Sequence, residues 1–359
     1  MKLLTRTSLL VFTTRLTIPP DVVFPLLVFP LLSFVAMYLI LHQSLVQTGL
    51  QFKLSAICDP DVVPHPYRIA YTNTADADKF LCGMVTFFHA LIDPAYHPLL
   101  AVLFPAIGVA ALVPFLEAAR NRHPPALHMP TAICVLFQLA SMGVIMPLYA
   151  FLFVITYTAS IRPGTSKINQ ANAEALLFGL LLGYVLPTTL MLFFVHPLVT
   201  ATWQGFPLLF SLAIFVHKVI RPPSRYVQSG HPTVVATLLF TFLLSALLYV
   251  VYVWPVLTDS AVLRIMFVPV VDGFNPAATT LVGGVLQFIK WDLILGLGSV
   301  ILATFWMADS VLSLVGILAW HGVANIAFGP AAAIAGVFLW RERRLNGQGQ
   351  ADKAPKRME

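Results

Sequence analysis

Charge is what this chain of 359 residues has least of. Its 15 acidic and 21 basic side chains make 10% of the sequence, against about 25% in an ordinary soluble domain. So few charges cannot cover a water-facing surface, and no stretch has the mixed composition of a soluble domain. The basic excess gathers at the ends, at Lys2, Arg6 and Arg15 and again from Arg341 to Arg357. That pattern anchors a chain beside a membrane and forms no basic stripe for nucleic acid. Three cysteines, Cys58, Cys82 and Cys134, give no metal spacing and no disulfide framework. Free thiols are expected in preference to a Cys58–Cys82 pair in a loop outside the membrane. Also missing are a DDxxD pair for magnesium diphosphate, a phosphate-binding glycine loop, G-x-S-x-G, H-E-x-x-H and a histidine-box array. No cofactor and no metal is therefore expected. His89, Asp93 and His97 have a metal-like spacing, but Pro94 interrupts the helix between them.

What the chain has instead is apolar residues, 58% of the total with a mean hydropathy of +0.85. A helix of about 20 apolar residues crosses a bilayer. The runs predict an all-α, polytopic transmembrane helical bundle of about eight spans, at 22–41, 98–118, 131–157, 173–194, 206–219, 233–254, 291–307 and 310–339. The last should kink at Gly329-Pro330. Segments 81–92 and 262–271 are too short to span and read as interfacial or re-entrant. Segment 276–289 either extends the seventh span or lies at the surface. The domain plan is an uncleaved N-terminal flank at 1–21, a membrane domain at 22–340 and a basic cytoplasmic tail at 341–359. With eight spans both termini share a side. That side carries thirteen Lys and Arg against eight, which favours cytoplasmic termini; Lys218, Arg221 and Arg225 fall on the wrong side of the rule.

Acids inside this background are costly and mark functional candidates. Asp292 opens the seventh predicted span, on a helix face shared with Gly296, Ser299, Ala303 and Trp306. Asp309 opens the eighth, in line with Ser313, Gly316 and Trp320. Either stripe serves as a packing seam or as the wall of a cavity, and an acid at a helix start also suits the macrodipole. Asp292 and Asp309 stand about 26 Å apart on a continuous helix, too far for one small site. Glu117 has Arg120 on its own helix face and reads equally as an ion pair. Asp78 reads equally as a cap for the short apolar segment that follows it. Burial favours the neutral form of a carboxyl group, poised to donate a proton. Among the aromatic residues, Trp291, Trp306, Trp320 and Phe88 are candidates to stabilise a cation through their ring faces.

Four segments together resemble fungal integral-membrane terpene cyclases of the ascochlorin, ascofuranone and macrophorin type. They are 71–94 (YTNTADADKFLCGMVTFFHALIDP), 98–121 (ending FLEAARN), 287–306 (QFIKWDLILGLGSVILATFW) and 328–344 (FGPAAAIAGVFLWRERR). The resemblance implies cyclisation of a farnesyl chain carried on an aromatic or quinol head group. An acid protonates a terminal epoxide or alkene, and rings close through a carbocation without metal or organic cofactor. The positions matching the family are Asp78, Glu117 and Asp292; Asp309 follows from helix position alone. Asp292 is the first choice as proton donor, with Glu117 as its neighbour or alternative. The expected setting is the endoplasmic reticulum membrane, with a small prenylated substrate and the lipid bilayer as partners. The rival reading is a proton- or cation-coupled transporter or exporter of a small apolar metabolite. The absence of an internal repeat counts against it.

Overall fold

A computed structural model of the chain describes residues 20–59, 65–120, 127–160, 167–271 and 275–351. The flank predicted at 1–21 falls almost wholly outside the described residues, as does the end of the tail at 352–359. The described elements are helices. They run as α1 (Pro20–Ala36, continued by wide π-helical turns over Met37–Gln47), α2 (Leu50–Ile57), α3 (Ala75–His89), α4 (His97–Ala118), α5 (Pro130–Ala140), α6 (Met142–Ser160), α7 (Gln170–Leu180), α8 (Leu186–Phe194), α9 (Pro197–Gln204), α10 (Phe206–Ile220), α11 (His231–Tyr252), α12 (Ser260–Phe267), α13 (Leu281–Thr304), α14 (Val311–Ala327) and α15 (Pro330–Ala351).

Among the described residues, five continuous helical segments are long and apolar enough to cross a bilayer: Val23–Gln47, Pro94–Ala118, Gln170–Phe194, His231–Val256 and Leu281–Met307. The pair α9 and α10, bent by 67°, makes a sixth. Helices closed on their own backbone hydrogen bonds are what a bilayer permits, and the chain is an integral membrane protein. At the centre stands α4. Between His97 and Glu117 its residues are apolar all round, and nearly every one is buried, as a helix without a polar face requires.

The bundle has two distinguishable ends. At one, Glu117 of α4 meets Arg341 of α15, Asn172 of α7 donates to the Ala119 carbonyl, and Arg221 after α10 pairs with Glu174. This is the tail end. At the other, α2 and α3 lie together, Lys53 donates to the Pro276 carbonyl, and Trp254 donates to the Ala327 carbonyl.

Three sequence expectations change here. The predicted third span does not cross. Its two halves, α5 and α6, break at Ser141, whose φ of 112° stops the helix. The α5 arm runs beside α10, with Thr131 at Ser211 and Gln138 at Gln204. The α6 arm returns beside α13 until Phe153 stacks near Phe338 and Arg341, at the tail end again. The pair is a re-entrant hairpin with its tip inside the bundle. The predicted eighth span is in turn two antiparallel helices. Gly329, at φ 83°, turns the chain between α14 and α15, and Trp320 donates to the Ala333 carbonyl across them. Finally, the predicted tail begins inside the bundle, since Arg341 and Glu342 on α15 are buried.

The re-entrant hairpin also reassigns the loops. Lys167, Lys218, Arg221 and Arg225 now join Arg120, Arg341, Arg343 and Arg344 at the tail end. Lys53, Arg68 and Lys79 remain at the other, where Arg264 joins them. The exception to the charge rule came from counting the hairpin as a crossing.

Cys58 and Cys82 form a disulfide, with Cα atoms 5.9 Å apart; Cys134 is free and buried. This overturns the free-thiol expectation. The pairing exists because α2 folds back on α3, a contact the 24-residue separation does not announce. Maleimide mass-tagging of membranes without reductant should therefore leave Cys58 and Cys82 unmodified, and reduction should expose both. Cys82→Ser should cost about 2–4 kcal/mol, read as a lower melting temperature in detergent.

Candidate functional site

The helix α13 begins at Leu281, so the undecided segment 276–289 supplies most of its first half. Asp292 consequently sits mid-helix, about 16 Å along the axis from the start, and does not open the span as the sequence suggested. It is buried. The tip of the re-entrant hairpin meets it there. The Ser141 hydroxyl and the Gly143 backbone N–H both donate to Asp292 Oδ1, each at 2.6 Å. Met142 and Gly143 are the first residues of α6, where backbone N–H groups have no partner within the helix. A carboxylate oxygen is the natural acceptor for such an end. Asp292 thus caps a helix broken inside the membrane.

Close approach makes the cap possible. A Cβ on Gly143 would lie 2.6 Å from Ile40 Cδ1 and 3.2 Å from the Asp292 Cα. On the facing helix, a Cβ on Gly296 would lie 2.9 Å from Met142 Cγ. Gly296 and Ser299, read as a small-residue stripe in the sequence, are a packing seam for the hairpin.

Oδ2 of Asp292 has no hydrogen-bond partner among the described residues, and Asp292 makes no ion pair among them. The residue lines a cavity of about 360 Å³, within the range of roughly 300–1,000 Å³ usual for ligand sites. The walls carry Phe80, Phe87, Phe88, Phe137 and Phe288. Phe87 meets Phe288 edge-on at 5.3 Å, and Phe88 meets Trp203 edge-on at 4.9 Å. Toward the disulfide end the lining becomes Ser55, Cys58 and Lys79. The cavity runs from that interface, beside the disulfide, to a single acid at mid-depth. Among the described residues no other Asp or Glu lines it.

The remaining sequence candidates lie elsewhere. Glu117 is buried at the tail end in a four-residue ion cluster. Arg341 donates to Oε1 and Oε2 at 2.5 and 3.1 Å, and Arg120 to the same two oxygens at 3.0 Å. Arg120 also pairs with Glu342. Both carboxylate oxygens of Glu117 already accept from guanidinium groups, which leaves no place for a transferable proton. It is not a neighbour of Asp292. Asp78 receives the backbone N–H groups of Tyr71 and Thr72 and the Thr72 hydroxyl. Partial desolvation works the other way, but these bonds hold its carboxyl below the usual range. It closes the turn ahead of α3. Asp309, with 59% of its side chain exposed, pairs with Arg344. The Ser313 hydroxyl, with Arg344, keeps it ionised below the usual range. Residues Ser310 and Ser313 form the capping box of α14 beside it.

Of the four aromatic candidates only Phe88 lines the Asp292 cavity. Trp291 packs against the small cluster of Ala36, Ile40, Val144 and Leu295. Trp306 stacks on Phe24 and contacts Phe29, and Trp320 bonds α15. Phe87, Phe137 and Phe288 went unpredicted. The segments containing Phe87, Phe88 and Phe288 were recognisable, but that their side chains share one cavity with Phe137 was not. Among the described residues there is no group of three or more His, Cys, Asp or Glu placed to hold a metal; His89 instead bonds Thr200.

Two curated proteins share this sequence at low identity. The chain is 29% identical over 164 residues to the terpene cyclase ascI of Acremonium egyptiacum, a match covering 42% of each protein. It is 25% identical over 291 residues to the terpene cyclase janA of Penicillium janthinellum, covering 76% of this chain and 80% of that one. The chain therefore aligns with under half the length of the first of these relatives. No solved structure matches it. A family model, the CtvD domain, matches residues 25–345, from α1 through the buried arginines of α15, and the chain belongs to the CtvD domain family.

Proposed function

We propose that the chain is a membrane-bound terpene cyclase in which Asp292 starts ring closure by protonating a prenyl chain. The observation that carries the reading is a lone acid with one oxygen anchored and the other free, at the inner end of an aromatic cavity. Both named relatives are terpene cyclases, which supports the same class of reaction.

In this mechanism the substrate is a farnesyl chain on an aromatic or quinol head group. Its head group stays near Lys79 and Ser55 at the interface, and its terminal end reaches Asp292. Protonated Asp292 donates from Oδ2 to the epoxide oxygen as the tertiary C–O bond breaks. With an alkene, the same proton adds to the terminal carbon. The adjacent π bond attacks the cationic carbon, each closure moving the charge one step along the chain. Loss of a proton, or capture by an oxygen of the substrate, ends the cascade. The product is an isomer of the substrate, so no oxidant or reductant is needed. Phe87, Phe88, Phe137 and Phe288 offer ring faces to the travelling cation, an attraction of about 0.5–2 kcal/mol for each well-placed ring. Anchoring Oδ1 holds Oδ2 in one position and keeps the donor oriented.

The orientation follows from two independent features. The basic residues concentrate at the tail end, which supports a cytoplasmic setting for that end. The disulfide suits an oxidising compartment, which supports a lumenal cavity mouth. An endoplasmic reticulum membrane satisfies both.

Microsomes holding the chain, given farnesylated phenols with and without a terminal epoxide, should convert at least one to a cyclised isomer of unchanged mass. The same conversion should persist in detergent, where no gradient exists. Absence of any isomer across the panel, or conversion only in sealed vesicles, would refute the reading. Gly143→Ala tests the clamp. The added methyl pushes α6 away from α13, and a displacement of about 1 Å lowers turnover about 10²-fold. Product formation per folded molecule measures it.

A further inference from the structure

Two residues before Asp292, the same helix carries Lys290. Positions two apart on a helix point about 200° apart, so Lys290 faces away from the Asp292 cavity. Lys290 is only 7% exposed, inside the span Leu281–Met307. It has no hydrogen bond or ion pair among the described residues. It lines a separate cavity of about 340 Å³, which shares no lining residue with the first. The walls come from α4, α11, α12, α13 and, at Pro330, the start of α15. Among the described residues that line it, Tyr249 is the one polar side chain apart from Lys290, and none is an acid.

An ammonium group held at membrane depth without an anion is costly, and intramembrane lysines are paired or functional. Since the described residues supply no partner, an anion from outside the chain fits the place. The walls demand that it be mostly apolar, and a single lysine, a compact point charge with three donors, asks for one small anionic group. Two features show the way in. Ile294, 44% exposed, forms part of the rim, so the cavity reaches the lipid-facing surface. Gly298, also in the lining, has no atom within 4 Å of where its Cβ would stand, so the space beside it is open.

We propose that this cavity binds an anionic single-chain amphiphile, with its carboxylate or phenolate on Lys290 and its chain along Gly298. The chemistry has two sources, a free fatty acid of the bilayer or an acidic prenylated phenol. The site stands independently of the cyclase reading, because it uses no residue of the Asp292 cavity.

The test uses the purified full chain in nanodiscs of phosphatidylcholine and a diazirine-bearing palmitic acid as photoprobe. Cross-links should map to α12 or α13, and oleate should compete while methyl oleate should not. Lys290→Met should lower labelling at least tenfold and raise the melting temperature, since an unpaired charge is replaced by an apolar chain of similar length. Gly298→Leu should block labelling by filling the cavity with the charge retained. Asp292→Asn should label as the wild type does. Stronger competition by a farnesylated phenolic acid than by oleate identifies the prenylated source; the reverse identifies the lipid. Equal labelling of the wild type and Lys290→Met overturns the proposal, as does equal competition by the methyl ester. Loss of labelling in Asp292→Asn also overturns it, by moving the ligand to the other cavity. A melting temperature that falls in Lys290→Met with labelling unchanged makes the lysine structural.

Discussion

Asp292→Asn should abolish ring closure while leaving the protein folded. The two halves of that outcome come from the two oxygens. Oδ1 accepts from Ser141 and from the first turn of α6, and an asparagine carbonyl accepts the same bonds. The hairpin tip therefore stays capped, and expression and melting temperature should match the wild type. Oδ2 is replaced by an amide that cannot deliver a proton of the required acidity. Positioned proton transfer contributes about 10²–10⁴-fold, so turnover should fall by at least that much. Asp292→Ala is the informative contrast. It removes the cap as well, leaving the Gly143 N–H and the Ser141 hydroxyl unpaired in the membrane at about 1–3 kcal/mol each, so activity and stability should fall together. Turnover of purified protein on an epoxyfarnesyl phenol, beside a thermal melt of each variant, reads both. Undiminished turnover in Asp292→Asn would remove the residue from the chemistry and leave it as a cap alone.

How much of this was legible in the sequence depends on the range of the interaction. Membrane embedding and helical class follow from composition, because hydropathy acts locally and sums along the chain. Asp292 stood out for the same reason, as an acid in apolar surroundings. Its depth did not. Residues 276–289 contain Gly283, Gly284, Gln287 and Lys290 close by, which weakened the apolar run, so the span was started late and the acid placed at its mouth. In the fold Gln287 bonds the Val270 backbone and is hidden from lipid. The re-entrant hairpin was hidden by the opposite effect. Segment 131–157 is apolar throughout, and hydropathy does not register direction. Its break rests on one backbone angle at Ser141 and on a partner 151 residues away. The disulfide and the aromatic wall likewise depend on contacts between distant segments. Glu117 was ambiguous because its near partner, Arg120, is local while its second, Arg341, lies 224 residues on. Only the first can be read from spacing.

Glu117 carries the second large effect, and its sign separates structure from catalysis. Four charged side chains, Glu117, Arg120, Arg341 and Glu342, are almost fully enclosed where α4 meets α15. Taken together they are neutral, and each guanidinium finds a carboxylate. Removing one partner leaves a buried charge uncompensated, which costs about 3–5 kcal/mol. Glu117→Gln should therefore lower the melting temperature sharply and reduce the amount of folded protein in membranes, because Arg120 and Arg341 then share one carboxylate, on Glu342. Turnover per folded molecule should change little, since the cluster lies at the tail end and lines no part of the Asp292 cavity. Removing both partners tests the assignment further. In Glu117→Gln with Arg341→Met one charge of each sign is gone, leaving Arg120 with Glu342 and an apolar chain against Phe153 and Phe338. The double variant should be more stable than Glu117→Gln alone, a coupling that a double-mutant cycle measures directly. A Glu117→Gln protein that keeps its melting temperature but loses turnover would reverse the assignment and return Glu117 to the chemistry.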